Sequence, residues 1–157
     1  MAEENLIKIY TDGASSGNPG PGGFGIVLKY GDKSKEYSEG YRKTTNNCME
    51  LLAVIRSLEL LKRKDLKVKI FSDSKYVIDA ITKGWVFSWQ KKSFKGKKNP
   101  DLWKRYLELH NKFNIEYRWV KGHSGHPENE RCDRLAVEAS KNFNLKVDEA
   151  FENGIND

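Results

Sequence analysis

Residues 68–83 read VKIFSDSKYVIDAITK, and this stretch decides the fold class. Its first part, Val68 to Ser72, is a short apolar run that predicts a strand ending at Asp73. The part that follows, Ser74 to Lys83, has the apolar spacing of a helix. Another amphipathic helix is predicted just upstream, over Asn47 to Lys62, with Asn47 placed to cap it. Because helices alternate with strands here, we expect an α/β protein with a parallel sheet.

The flanking residues supply the remaining elements. Upstream, three strands joined by a Gly-rich loop and a hairpin predict an antiparallel meander. The predicted strands are Leu6 to Thr11, Phe24 to Tyr30, Lys33 to Arg42 and Ile115 to Trp119. The predicted loops are Gly13 to Gly23 and Gly122 to Pro127. One helix is predicted from Asn99-Pro100 to about Phe113, and the last helix follows the second loop and runs to about Phe143. The order β-β-β-α-β-α-α-β-α predicts a mixed five-stranded sheet with helices on both faces. We expect one domain over residues 1–143 and a polar tail over residues 144–157, frayed from Lys146 to Asp157.

The composition is that of a compact globular protein. The chain has 157 residues, of which 38% are hydrophobic and 32% are charged, and this balance excludes a disordered or fibrous chain. Its apolar runs are shorter than the roughly 20 residues of a membrane span, and no signal-peptide pattern opens it. Cys48 and Cys132 are too few for a disulfide scaffold. We therefore expect a cytoplasmic monomer with free thiols and no membrane partner.

The positive charge is concentrated in residues 83–98, which we call the lysine-rich segment. The whole chain has 28 basic and 22 acidic residues, a net charge of +6. The segment contains six lysines and no acidic residue, so the rest of the chain is balanced. Trp85, Phe87, Trp89 and Phe94 lie between these lysines, and such a basic, aromatic surface suits a nucleic acid. The alternatives are a solvated loop for the lysines and core packing for the tryptophans.

Four carboxylates are candidates for one shared site. Asp12 and Asp73 follow apolar strands, at the edge of an α/β sheet where ligand sites form. Glu50 and Asp133 lie near the starts of helices that could reach the same edge. Crowded carboxylates repel one another unless a cation lies among them, and oxygen ligands suit Mg²⁺ or Mn²⁺. Two such ions about 4 Å apart could activate a water and stabilise a leaving oxygen. Each carboxylate alone also fits a turn, a capping box or a helix start.

Four motifs, in this order, resemble type 1 ribonuclease H. They are Tyr10-Thr11-Asp12-Gly13 with Gly17-Asn18-Pro19-Gly20-Pro21-Gly22-Gly23, Thr44-Thr45-Asn46-Asn47 with Met49-Glu50-Leu51, Ser72-Asp73-Ser74 with Tyr76-Val77, and Val120-Lys121-Gly122-His123 with Gly125-His126 and Asn129-Glu130-Arg131-Cys132-Asp133. The match runs from about Leu6 to Asn142. Several separate motifs in one order make this a specific resemblance, and it implies the ribonuclease H-like fold.

The resemblance also implies an activity and a set of site residues. The activity is endonucleolytic cleavage of the RNA strand of an RNA/DNA hybrid, with two Mg²⁺ or Mn²⁺ ions bound together with the substrate. The metal is assigned to Asp12, Glu50, Asp73 and Asp133, and assistance to proton transfer or product release is assigned to His123. The substrate contacts implied are Gly17, Asn18 and Asn46 in the minor groove, Thr45 on a DNA phosphate, and Trp85, Trp89, Lys91, Lys92 and Lys95 in a basic protrusion.

Some positions depart from the pattern of the family. Cys48 stands where many relatives have Arg, and Ser88 and Phe94 stand where Asn and Trp are expected. The stretch from Lys95 to Asp101 is several residues shorter than in well-known bacterial members. Only a few residues precede the first strand, so we expect no N-terminal hybrid-binding domain. These departures concern the binding of the DNA strand and not the metal site.

Three alternatives stay open at this stage. One is a non-catalytic nucleic-acid-binding module of the same fold, although none of the four carboxylates is missing. Another is a nuclease for DNA junctions or a transposase-like strand transferase, which the Gly-Asn-Pro-Gly and Thr-Asn-Asn motifs disfavour. The last is a zinc site built from His123, His126 and Cys132, which is disfavoured because zinc sites usually have a fuller set of nitrogen and sulfur ligands.

Overall fold

A mixed five-stranded sheet organises the computed structural model, which describes residues 5–122, 126–142 and 144–152. The strands are β1 (Leu6–Ser15), β2 (Gly20–Tyr30), β3 (Lys33–Thr44), β4 (Lys67–Ser72) and β5 (Asn114–Trp119). The helices are α1 (Asn46–Glu59), α2 (Lys75–Thr82), α3 (Trp85–Lys91), α4 (Pro100–His110), α5 (Pro127–Ser140) and α6 (Glu149–Glu152). The strand order is β3-β2-β1-β4-β5, with β1 to β3 antiparallel and β4 parallel to both of its neighbours. The predicted sheet is therefore confirmed.

Helices cover both faces of this sheet, as predicted. Phe24 and Ile26 of β2 are buried in the main core, which also contains Ile55 of α1. Val27 lies on the other face, where it packs with Leu135 of α5. Successive side chains of a strand point to opposite faces, so β2 is buried on both sides. None of the described helices is long and apolar enough to cross a membrane.

A glycine in β2 sets how closely α5 approaches the sheet. Gly25 pairs with Asp12 across the β1–β2 ladder. A Cβ added at Gly25 would lie 2.3 Å from the carbonyl oxygen of Cys132, which precedes Asp133 in α5. Only a residue without a side chain fits at that distance. The contact brings the start of α5, and Asp133 with it, next to the end of β1.

Two local predictions are wrong at their boundaries. The Gly-rich loop is shorter than residues 13–23, because the pairs Ala14–Gly23 and Ser15–Gly22 continue the β1–β2 ladder. The cap of α1 is Thr45, not Asn47, and its Oγ1 accepts a hydrogen bond from the Cys48 N–H at 3.2 Å. The β1–β2 ladder therefore extends to Ser15, and α1 begins at Asn46, one residue before the predicted start.

The start of α4 lies where it was predicted, but its N-cap residue has another role. Asn99 has a φ of 59° and its side chain does not cap the helix, which begins at Pro100. Instead, its Oδ1 accepts from the Cys48 thiol at 3.0 Å and its Nδ2 donates to the Tyr76 hydroxyl at 3.0 Å. Asn99 is buried, so these partners satisfy a side chain that would otherwise be costly to enclose.

The expectation of a frayed C-terminal tail is wrong for residues 146–152. Asp148 is buried, and its Oδ2 accepts from the Thr44 hydroxyl at 2.8 Å. The Lys146 backbone donates to the Gly40 carbonyl and accepts from the Arg42 N–H, both on one edge of β3, and Glu152 forms a two-pronged ion pair with Arg42. This segment thus packs along the edge strand β3. Residues 143 and 153–157 lie outside the described residues, and the domain boundary at residue 143 stays a prediction.

Candidate active site

Asp12 and Asp73 lie side by side because their strands run in parallel. Strands β1 and β4 pair directly, with Tyr10 opposite Phe71 and their rings stacked at 4.7 Å between centroids. Two residues further along each strand brings the chain to Asp12 and to Asp73. The convergence predicted at the carboxyl ends of these strands is therefore present in the structure.

Glu50 joins these two aspartates through a close backbone approach. Gly13 donates its N–H to Glu50 Oε1 at 2.7 Å and to Asp12 Oδ1 at 2.9 Å. A Cβ at Gly13 would lie 2.5 Å from the backbone nitrogen of Glu50, so α1 touches β1 here. One carboxylate oxygen each from Asp12, Glu50 and Asp73 lies within 4.8 Å of the others. One backbone amide therefore holds two carboxylates in place.

Asp133 faces the same cavity from α5. The cavity has a volume of about 140 Å³, and its lining includes Asp12, Asp73 and Asp133. The loop after β5 closes one side, since a Cβ at Gly122 would lie 2.9 Å from Asp73 Oδ2. The structure thus brings all four predicted carboxylates to one rim of the sheet, with Glu50 buried and Asp133 lining the cavity.

The crowding makes ionisation of Asp12 and of Glu50 unfavourable. Burial, followed by the charges of Asp73 and Asp133, raises the pKa of Asp12 from 3.8 to about 7. Burial and the charges of Asp12 and Asp73 raise the pKa of Glu50 well above its usual range. A bound cation would reverse both effects, because it favours the charged carboxylates.

The donor set fits the divalent cation that the resemblance implies. The ligand atoms are carboxylate oxygens, which Mg²⁺ and Mn²⁺ prefer. Asn129 lines the same cavity, and its buried Oδ1 has no hydrogen-bond partner within the described part of the chain. Buried oxygens of this kind usually have a partner, so a ligand or its hydration shell would complete this one.

Among the described residues, the histidines and cysteines do not form a competing metal site. His126 precedes α5 and lines the carboxylate cavity. The buried Cys132 thiol donates to the carbonyl oxygen of Tyr10 at 3.2 Å. Over residues 5–122, 126–142 and 144–152, the three carboxylates above are the one group with metal-site spacing. His123 lies outside the described residues, so its predicted role stays a prediction.

The residues predicted to read the minor groove border a second cavity. Gly17 and Asn18 lie between β1 and β2, and Asn18 Oδ1 accepts from the Asn46 N–H at 3.3 Å. This cavity has a volume of about 260 Å³, and Asn18, Thr45, Asn46 and Lys98 are among its lining residues. The turn and the start of α1 therefore form one continuous surface.

The lysine-rich segment has a fixed shape. It contains α3, a helix that was absent from the element order predicted from the sequence. Trp89 of this helix packs edge-on against the buried Trp103, at 5.9 Å between ring centroids. Phe94 is buried below it, whereas Lys91, Lys92 and Lys95 are exposed. Trp85 keeps 45% of its surface exposed. The alternative that these tryptophans serve core packing is therefore correct in part for Trp89, which contacts the core, and wrong for Trp85, which is exposed.

Sequence reasoning missed several residues at the carboxylate rim. Trp119 is exposed, and its Nε1 donates to the backbone oxygen of Asp73 at 3.0 Å. It is the partner of Ser72 in the β4–β5 ladder, and no local sequence pattern specifies that register. Asn129 and Arg134 line the cavity from α5. Their placement depends on how α5 crosses the sheet, which the sequence pattern did not specify.

Known proteins of one family share this sequence and fold. The RNase H family profile matches residues 4–141. The chain is 54% identical over 147 residues to a ribonuclease H of Desulforamulus reducens, covering 90% of this chain and 92% of that one. It is 52% identical over 152 residues to a ribonuclease H of Rippkaea orientalis, covering 94% and 93%.

Solved structures agree. LC9-RNase H1, described as a type 1 RNase H with the type 2 active-site motif, has a TM-score of 0.78 and 32% identity over 87% of this chain and 72% of that one. LC11-RNase H1 in complex with an RNA/DNA hybrid has a TM-score of 0.65 and 27% identity, covering 92% and 99%. With the matched profile, the identities and the carboxylate rim together, this chain belongs to the ribonuclease H family.

Proposed function

We propose that this protein is a metal-dependent endonuclease that hydrolyses the RNA strand of RNA/DNA hybrids. The observation that carries the proposal is the meeting of Asp12, Glu50 and Asp73 within 4.8 Å, beside Asp133. A relative with the same fold has been solved in complex with an RNA/DNA hybrid. All four carboxylates come from one chain, which supports our proposal that the protein acts as a monomer.

The four carboxylates would hold Mg²⁺ or Mn²⁺, with two ions present when the hybrid is bound. When bound, the cations supply the Lewis acid that makes hydrolysis of a phosphodiester fast at neutral pH. The chain contributes the geometry, since the Gly13 N–H fixes one oxygen of Asp12 and one of Glu50 before any ligand arrives. Sites held in advance in this way lose little free energy to reorganisation when the substrate binds.

The remaining predicted residues would position the hybrid. Asn18 and Asn46, which are already joined by a hydrogen bond, together with Gly17 would read the minor groove, and Thr45 would contact a phosphate of the DNA strand. The lysine-rich segment would bind that strand further along, through Trp85, Trp89, Lys91, Lys92 and Lys95. His123 would assist the movement of a proton or of the product. Shape and backbone are read, so little base-sequence preference is expected.

A cleavage assay with paired variants tests the proposal. Labelled RNA in an RNA/DNA hybrid should be cut in Mg²⁺ or Mn²⁺ and stay whole in EDTA. Asp73→Asn should abolish cleavage but keep hybrid binding, whereas Asp32→Asn, in the exposed β2–β3 turn, should behave as the wild type. Circular dichroism of each variant verifies the fold.

Calorimetry separates the enzyme from a non-catalytic binding module. The enzyme should bind Mg²⁺ or Mn²⁺, and this binding should disappear in Asp12→Asn. Intact RNA after incubation of folded wild-type protein with the hybrid and either metal would refute the proposed activity. Hybrid binding that persists without any metal binding would favour the module instead.

A further inference from the structure

Each tryptophan that reaches the surface carries a lysine ammonium on its ring. Of the four tryptophans, Trp103 is fully buried in the core. The ammonium-to-centroid distances of the other three are 5.3 Å for Lys83 on Trp85, 5.2 Å for Lys97 on Trp89 and 4.6 Å for Lys75 on Trp119. All lie within the range of cation–π attraction. Two of the pairs belong to the lysine-rich segment, and the third, the shortest, lies elsewhere.

The third pair is fixed beside the carboxylate rim. Trp119 ends β5 and is 44% exposed, and its Nε1 donates to the backbone oxygen of Asp73 at 3.0 Å. Lys75 is the first residue of α2, two positions after Asp73, and it is exposed. The indole thus has one edge tied to Asp73 and one face under an ammonium. The charge of Lys75 is thereby held at a defined distance from the reacting edge of the sheet.

The stability of helix α2 does not account for the charge of this lysine. A positive charge in the first turn of a helix opposes the helix dipole, so Lys75 weakens α2 rather than stabilising it. Among the residues that the structure describes, no carboxylate forms an ion pair with Lys75. An ammonium that is ordered by an aromatic ring and has no acidic partner is suited to an anion from outside the protein.

We propose that Lys75 and Trp119 form a contact for the RNA strand next to the bond that is cut. The Lys75 ammonium binds a phosphate of that strand, and Trp119 acts as a positioning residue that keeps the ammonium in place. The strand is the RNA because the contact adjoins Asp73, whose carboxylate faces the strand being hydrolysed. This inference rests on the proposed function and adds a binding site on the β5 side, away from the lysine-rich segment.

Hybrid binding measured in EDTA, where no cleavage is expected, tests the contact directly. Fluorescence anisotropy of a labelled hybrid should give about three- to tenfold weaker binding for Lys75→Gln and a salt slope lower by about 1, as for one lost phosphate contact. Lys75→Arg should restore the slope, since Arg also binds phosphate and an aromatic face. Trp119→Leu should weaken binding less than Lys75→Gln, with the charge retained but mobile.

Lys67→Gln is the matched control, because it makes the same change of charge at the end of β4 that lies away from Asp73. Lys67 is exposed and begins β4, six residues before Asp73. Lys67→Gln should leave affinity and salt slope at the wild-type values. In steady-state cleavage, Lys75→Gln should raise KM by a similar factor with kcat unchanged, a split that a general loss of folding would not produce. Equal effects of Lys75→Gln and Lys67→Gln would overturn the proposal.

Hybrids with one neutral methylphosphonate linkage identify the strand. A linkage near the cleavage site in the RNA strand should weaken wild-type binding and leave Lys75→Gln unaffected, because the contact is already lost. The same non-additivity found only for linkages in the DNA strand would refute the assignment to RNA. Wild-type protein that fails to cut the unmodified hybrid would instead refute the proposed function, so the two failures are distinguishable.

Discussion

Asp12→Asn should stabilise the metal-free protein, although it abolishes the proposed activity. The substitution removes one negative charge from the carboxylate rim and keeps a side-chain oxygen that can accept from the Gly13 N–H, as Asp12 Oδ1 does at 2.9 Å. The charge is costly because burial, then the charges of Asp73 and Asp133, raise the pKa of Asp12 to about 7. An amide has no such cost.

The expected gain in the free energy of unfolding follows from the difference between the pKa values of Asp12 in the folded and unfolded states. An unfolded Asp titrates near 3.9, and each pH unit is worth about 1.4 kcal/mol, so full ionisation in the folded state costs up to about 4 kcal/mol. Because Asp12 is only partly buried, we expect about half of that, roughly 2 kcal/mol. Below about pH 4 both states are protonated and the cost is absent.

Between about pH 4 and pH 7 the unfolded chain releases the proton while the folded chain keeps it, so the free energy of unfolding falls as pH rises. Above about pH 7 both states are ionised and the cost is constant. Urea unfolding in EDTA at pH 4, 6 and 8 should therefore show Asp12→Asn level with the wild type at pH 4 and more stable at pH 8. Asp32→Asn, in an exposed turn, is the control. A variant that is no more stable than the wild type at pH 8 would refute the electrostatic account.

Three further changes test individual contacts that hold the fold together. Gly25→Ala places a Cβ 2.3 Å from a carbonyl oxygen of α5, and we expect a loss of about 2 kcal/mol in urea unfolding. Gly31→Ala, where no atom lies within 4 Å, should cost about 1 kcal/mol for its positive φ, and equal losses would contradict the close approach. Burial raises the pKa of Glu59, but hydrogen bonds from two arginines lower it below its usual value. Glu59→Gln should therefore cost roughly 1 kcal/mol at pH 7, and this difference should shrink as pH falls below about 4; a difference unchanged at pH 3 would argue against ion pairing. Thr44→Val removes the donor to buried Asp148 and should cost about 1–3 kcal/mol, with faster hydrogen exchange of the α6 amides; unchanged exchange would show that this bond does not hold the segment.

The parts of the fold that local pattern specifies could be predicted from the sequence. Apolar runs ending at Asp12 and at Asp73 identify two strands and their carboxyl ends, and the β-α-β-α order predicts a parallel sheet, in which the structure pairs β1 directly with β4. The convergence of the two aspartates follows from that geometry alone. Glu50 could be placed because it lies near the start of α1, the helix that leads into β4.

The parts that depend on contacts between distant residues could not be predicted. The segment around Asp148 looked like a polar tail because its partners, Thr44 and Arg42, lie about 100 residues earlier. Trp119 looked like an ordinary strand residue, since its place beside Asp73 depends on the β4–β5 register. A polar segment is exposed only if its side chains find no hydrogen-bond or ion-pair partner elsewhere in the chain. Such partners are set by the tertiary structure and cannot be read from the local sequence.

The same tertiary contacts explain why the carboxylates do not relieve their repulsion by moving apart. Glu50 cannot withdraw without separating α1 from β1, which touch at Gly13. Asp133 cannot withdraw without lifting α5 from β2, which touches it at Gly25. Both movements would expose apolar side chains of the two cores, at a cost of about 25 cal/mol for each Å². The hydrophobic packing of the two helices therefore holds the carboxylates together. A divalent cation that binds among them relieves their mutual repulsion, and this relief contributes to its binding free energy.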